Sequence, residues 1–137
     1  MSLRVESKFM APPEPFSITA GAVSFRHAGR GVIWMLRSQH NAWLHAAATG
    51  VVCLAGIAFQ LSAIECCLIV LCIMAVWTTE ALNTALELVT DLASPDFHPL
   101  AGKAKDMAAG AVLITAVGAA IVGAIVFIPH AWALIPK

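Results

Sequence analysis

The sequence predicts an all-α membrane protein, with three transmembrane helices per protomer and an N-terminal amphipathic helix on the membrane surface. Composition is the first observation. The 137 residues are 60% hydrophobic and 12% charged, against about 25% charged in an average soluble domain. Length is the second. Apolar segments at about residues 41–60, 61–79 and 107–128 each approach the roughly 20 residues that a bilayer requires. Only Glu65, near the start of the second, carries a charge. Basic residues supply the third. Arg4, Lys8, Arg26, Arg30 and Arg37 precede the first span, and Lys103 and Lys105 lie between the second and third. The bias of Lys and Arg toward the cytoplasmic side puts the N-terminus and the 94–106 loop in the cytoplasm and the C-terminus outside.

Residues 1–23 read as a flexible polar tail. They contain Arg4, Glu6, Lys8, Glu14 and the stretch "APPEP", and they lack the apolar core of a secretory signal. Residues 24–137 read as one membrane domain. Its surface helix, 24–38, sets Phe25, Val32 and Leu36 against a basic stripe of Arg26, Arg30 and Arg37, with Trp34 suited to the headgroup interface. The link near Gln60 is short, so the first two spans form an antiparallel hairpin. The second helix continues past the membrane to about residue 92. A polar, turn-rich loop follows, which Gly102 loosens, and the third span ends at Pro129. In that span Ala119/Gly123 and Ala120/Ala124 have the small-xxx-small spacing that lets helices approach closely. Cys53, Cys66, Cys67 and Cys72 lie in apolar runs with no metal-ligand spacing, so they read as small buried hydrophobes. Zero net charge argues against a nucleic-acid partner.

The stretch "TTEALNTALELVTDL" carries the chemistry. Glu80, Asn83, Glu87 and Asp91 follow fourteen uncharged residues, "CCLIVLCIMAVWTT", at spacings i, i+3, i+7 and i+11. On a helix these positions share one stripe. Three acids on one face repel one another unless a cation sits among them, and a divalent ion with a polyphosphate behind it is the obvious candidate. Glu80 comes about 22 Å after Glu65 at 1.5 Å per residue, which places it at headgroup depth. A partly desolvated carboxylate there is the better base, while Glu87, one step further out, stays ionised as a metal ligand must. Lys105 is open to two readings, a phosphate partner or a basic membrane anchor. His98 reads as a hydrogen-bonded cap more readily than as a ligand. Acids on a spanning helix also allow a non-catalytic scaffold or proton-conducting oligomer, but these lie at the cytoplasmic end and continue beyond it.

"EALNTALELVTD" followed by "HPLAGKAKDMAAGAVL", with "SFRHAGRG" upstream, resembles the signature of the small prokaryotic diacylglycerol kinase and undecaprenol kinase family. The resemblance covers about residues 24–126. It implies a homotrimer that transfers the γ-phosphoryl group of ATP to a membrane lipid alcohol, with "FHPLAGKAKDMAAGAVL" leaning toward undecaprenol over diacylglycerol. It implies Glu80 as the general base, Asn83 as its partner in the catalytic site, and Glu87 as the ligand of Mg2+. Arg30, Gly102, Lys105 and Asp106 would surround the nucleotide, and Asp91 would be an acid one turn beyond the metal ligand. One position departs from the family pattern. Where the family commonly has a glutamate that joins the metal site, this chain has Gln39, which offers a carbonyl oxygen without charge; His40 or a water could compensate.

A topology reporter fused after Lys137 is expected to read as extracytoplasmic; a reporter fully active in the cytoplasm there would break the three-span arrangement.

Overall fold

The structure, a computed structural model, describes residues 17–135. Most of the expected N-terminal tail, residues 1–16, lies outside the described residues. Four helices follow in order: α1 (Ile18–Ser38), α2 (His40–Ala58), α3 (Ala63–Ala93) and α4 (Pro99–Trp132). No strand occurs among the described residues. The last three helices are long and apolar enough to cross a membrane. Residues up to Gly31 form one compact unit and those from Val32 onward a second.

α1 begins six residues before the expected start at 24. The prolines of the preceding stretch end at Pro15, and nothing in "ITAGAV" opposes a helix once they have stopped. Phe25, on its apolar side, is 83% exposed. Within the second unit Met35 is the buried residue of the helix. Gln39, in extended conformation, breaks α1 from α2 and stands at the N-cap of α2 without a side-chain capping bond.

The α2–α3 hairpin closes through a Schellman turn. The Leu61 N–H donates to Gly56 O at 3.2 Å and the Gln60 N–H to Ile57 O at 3.2 Å. Gln60 takes the left-handed conformation, φ 53°, and the Leu61 side chain folds back over Gly56. α3 then starts with a capping box: Ser62 Oγ accepts from the Glu65 N–H, and the Glu65 carboxylate accepts from the Ser62 N–H at 2.8 Å. Glu65 therefore closes the turn at the end of the hairpin. His130 Nε2 lies 3.0 Å from Glu65 Oε1, and the His130 ring stacks on Phe59 at 5.9 Å. Phe59 also meets Phe127. These contacts hold the end of α4 against the hairpin, which explains why α4 runs through Pro129 to Trp132 instead of ending at the proline. A proline near a helix terminus removes only one backbone hydrogen bond.

The expected 94–106 loop is shorter in the structure. His98 Nδ1 accepts from the Leu100 N–H as the N-cap, and Pro99 occupies the first turn, so α4 starts there. Gly102, Lys103, Lys105 and Asp106 are consequently helical, and Gly102 does not loosen the chain.

α3 and α4 pack along much of their length, whereas α2 touches α3 more sparingly. Ile69 and Val76 on α3 and Ala108, Val112 and Val126 on α4 are buried, and Thr79 Oγ1 meets Thr115 Oγ1 at 2.8 Å between the two helices. Both hydroxyls also bond carbonyls of their own helices, which satisfies them inside an apolar interface. The small residues of α4 do not all serve close approach. Ala119, Ala120, Gly123 and Ala124 line an apolar cavity of about 440 Å³ between α2, α3 and α4. Large apolar side chains face outward throughout, as with Ile57 and Ile114, the pattern of helices solvated by lipid. For the same reason Cys53, Cys66 and Cys67 are exposed, not buried as expected, and all four thiols are free.

Replacing Ser62 with alanine should lower stability by about 1 kcal/mol, read as a reduced unfolding midpoint in detergent micelles; an unchanged midpoint would show that the capping box contributes nothing to the hairpin.

Candidate active site

Two clusters form at the α1–α2 and α3–α4 ends of the bundle. The first lies on one face of α3. Glu80, Asn83 and Thr84 are buried, with Glu80 only 1% exposed. Glu87, one further turn along, is half-buried. Its carboxylate accepts two side-chain amides: Asn83 Nδ2 donates to Oε1 at 3.2 Å, and Gln39 Nε2 donates to Oε2 at 3.4 Å. The extended break at Gln39 makes this reach possible, because its side chain crosses to α3 instead of capping α2. Gln39, Asn83 and Glu87 are thus brought together, while His40 is exposed.

Glu80 meets a residue that the sequence reading did not single out. His45 Nε2 on α2 lies 3.7 Å from Glu80 Oε2. Trp77 packs edge-on against the His45 ring, with centroids 6.5 Å apart, and its indole N–H donates to Thr49 Oγ1 at 3.1 Å. The available signal was a histidine inside an otherwise apolar span, where ionisable groups usually have a role. Four buried polar atoms have no hydrogen-bond partner among the described residues: His45 Nε2, both Glu80 oxygens and Asn83 Oδ1. Buried polar groups are nearly always satisfied, so these four atoms still have hydrogen bonds to make.

Among the described residues no three His, Cys, Asp or Glu side chains gather as a ready metal centre. The donor set nevertheless suits magnesium. It consists of hard oxygens, with the Glu87 carboxylate beside the orphaned Asn83 carbonyl, and Mg2+ typically takes one or two protein carboxylates and completes its shell with water and phosphate. Gln39 presents its NH2 group to Glu87, so its carbonyl would serve as a ligand only after the amide turns over.

The second cluster surrounds the α3–α4 turn. Lys105 makes an ion pair with Asp91, and both line a concavity with Ser94, Asp96, His98 and Gly102. A side chain at Gly102 would meet nothing within 4 Å, so the helix surface there is open to a large ligand. Asp106 is exposed on the following turn. Arg30 is exposed on α1, in the first compact unit.

Residues 26–127 match the family model described as prokaryotic diacylglycerol kinase. The chain is 45% identical over 106 residues to the undecaprenol kinase of Bacillus subtilis, covering 77% of this chain and 86% of that protein. It is 42% identical over 108 residues to a diacylglycerol kinase of Synechocystis sp., covering 78% and 62%. With the diacylglycerol kinase of Escherichia coli it shares 38% identity over 71 residues, covering 52% and 58%.

Proposed function

Since the chain belongs to the prokaryotic diacylglycerol kinase family of bacterial membrane lipid kinases, we propose that it transfers the γ-phosphoryl group of ATP to an undecaprenol-type lipid alcohol at the cytoplasmic membrane surface. The observation that carries this reading is the buried Glu80 carboxylate on a spanning helix, without a hydrogen-bond partner among the described residues, on the face of α3 that also carries Asn83 and Glu87. A base at that depth meets a hydroxyl arriving from the bilayer, and the polar residues beyond it meet a nucleotide arriving from water. Undecaprenol is favoured because the undecaprenol kinase of B. subtilis matches at the higher identity and across 86% of its length. Diacylglycerol is the second acceptor, supported by the named diacylglycerol kinases.

In this reading Glu80 accepts the proton of the lipid hydroxyl as the lipid oxygen attacks the γ-phosphorus. A new P–O bond forms while the bond to the β–γ bridging oxygen breaks, and ADP departs with that oxygen. Asn83 holds Glu87 in place through its amide. Gly102 allows the phosphates to approach the helix, and Lys105, released from Asp91, turns to their charge. Asp106 completes this part of the nucleotide-binding set. Glu87, with the carbonyls of Asn83 and Gln39, would hold magnesium, which when bound supplies positive charge to the transferring phosphates. The working unit in this reading is a homotrimer.

The test is a side-by-side assay of purified protein with ATP, Mg2+ and either undecaprenol or diacylglycerol in mixed micelles. Undecaprenol should be phosphorylated with the higher kcat/KM; a preference for diacylglycerol would reverse the substrate assignment, and no lipid-dependent ATP consumption would overturn the function.

Restoring an acid at Gln39 tests the metal assignment. Two unit charges about 4 Å apart interact by about 4 kcal/mol at an effective dielectric of 20, before desolvation is subtracted. Gln39→Glu should therefore lower the Mg2+ concentration for half-maximal nucleotide binding by roughly 3- to 10-fold, and the gain should vanish alongside Glu87→Ala. An unchanged Mg2+ dependence would remove position 39 from the metal shell.

A further inference from the structure

We propose that His45 is a positioning residue for Glu80: its Nε2–H holds Oε2 of the carboxylate and leaves Oε1 for the lipid hydroxyl. The inference rests on the proposed role of Glu80 as the base.

The placement follows from how α2 meets α3. Ala42, three residues before His45, has no exposed surface. His45 lies one turn further along the same face of α2, followed by Thr49 and Val52. On α3 the facing residues are Val76, Trp77 and Glu80. The His45 ring has Trp77 as its ring neighbour in this contact. Trp77 meets it edge-on, and Trp77 is itself anchored by its hydrogen bond to Thr49, one turn beyond His45 on α2. The ring therefore has little freedom to swing away, and its Nε2 is directed toward Glu80 Oε2.

The 3.7 Å separation is too long for a hydrogen bond. His45 Nε2 and the Glu80 oxygens are nevertheless buried with no hydrogen-bond partner among the described residues, and a side-chain adjustment of under about 1 Å brings them to the usual N–H···O distance. A buried carboxylate without a donor is costly, and a single N–H directed at one oxygen stabilises it while fixing its plane. Fixing the plane matters for the chemistry. A base must meet the attacking hydroxyl within hydrogen-bond reach, and a misplacement of about 1 Å can cost about 100-fold in rate. His45 also borders the apolar cavity between α2, α3 and α4 as one of its few polar members, so it stands where the hydrocarbon interior gives way to the acid stripe.

Glutamine and asparagine separate this role from packing. The terminal nitrogen of glutamine reproduces the reach of Nε2, whereas that of asparagine reproduces Nδ1 and falls short of Glu80. At saturating ATP, His45→Asn should lower kcat for lipid phosphorylation by about 10- to 100-fold with the ATP KM unchanged, and His45→Gln should keep most of the activity. Glu80→Gln should lower kcat by roughly 10²- to 10⁴-fold, and adding His45→Asn to it should cost nothing more, because the group being positioned is no longer a base. Equal activities of the Gln and Asn variants, whether both normal or both low, would overturn the positioning role. So would an equal loss from His45→Asn in the presence and absence of Glu80. Near-normal turnover of Glu80→Gln would instead overturn the assignment of the base, an outcome visible without any substitution at His45.

Discussion

A carboxylate buried on a membrane-spanning helix governs this structure. Glu80 is almost fully enclosed, in surroundings where a charge is costly unless it is paired or neutralised. Everything nearby is arranged in relation to that cost. α3 must remain one continuous helix, because a break would turn Glu80 away from the stripe it shares with Asn83 and Glu87. α2 must approach closely, and on it Ala42 has no exposed surface. His45 Nε2 stands 3.7 Å from Glu80 Oε2, with its ring beside Trp77, which bonds Thr49.

The two ends of the bundle solve different problems. At the hairpin end the polar atoms satisfy one another: Ser62, Glu65 and His130 form a closed set, capped by the stacked rings of Phe59 and His130. That end is finished as it stands. At the acid-stripe end the polar atoms are left incomplete, with Asn83 Oδ1 and both Glu80 oxygens unsatisfied. Completed networks rigidify and incomplete ones bind. Two residues of the same type on the same helix thus have opposite surroundings: Glu65 is held by Ser62 and His130, and Glu80 has no hydrogen-bond partner among the described residues.

Between these ends the protomer contributes little protein core. Few large apolar residues are buried, and many on α2, α3 and α4 face outward. Lipid does not drive helices together as water does, so the interface relies on close contact and on hydrogen bonds such as that between Thr79 and Thr115. α4 contributes small residues, and where they face α2 they leave a cavity instead of a seam.

The sequence by itself determined the helical class, the three spans and the acid stripe. Each depends on local periodicity or on apolar length, and neither requires knowledge of a partner helix. The family resemblance also marked Gln39 as a departure, since an ungapped register is read along the chain. Tertiary structure decided what touches what. Gln39 reaches Glu87 across 48 positions of chain, and Lys105 closes on Asp91 across the α3–α4 turn. The extent of α4 was decided in the same way: Pro99 and His98 start it early, and contacts of Phe127 and His130 carry it past Pro129. His45 was the least legible residue, because in sequence it is one histidine in an apolar run. Its meaning comes only from the close packing of α2 on α3, which sets its ring beside the one carboxylate that burial leaves without a donor.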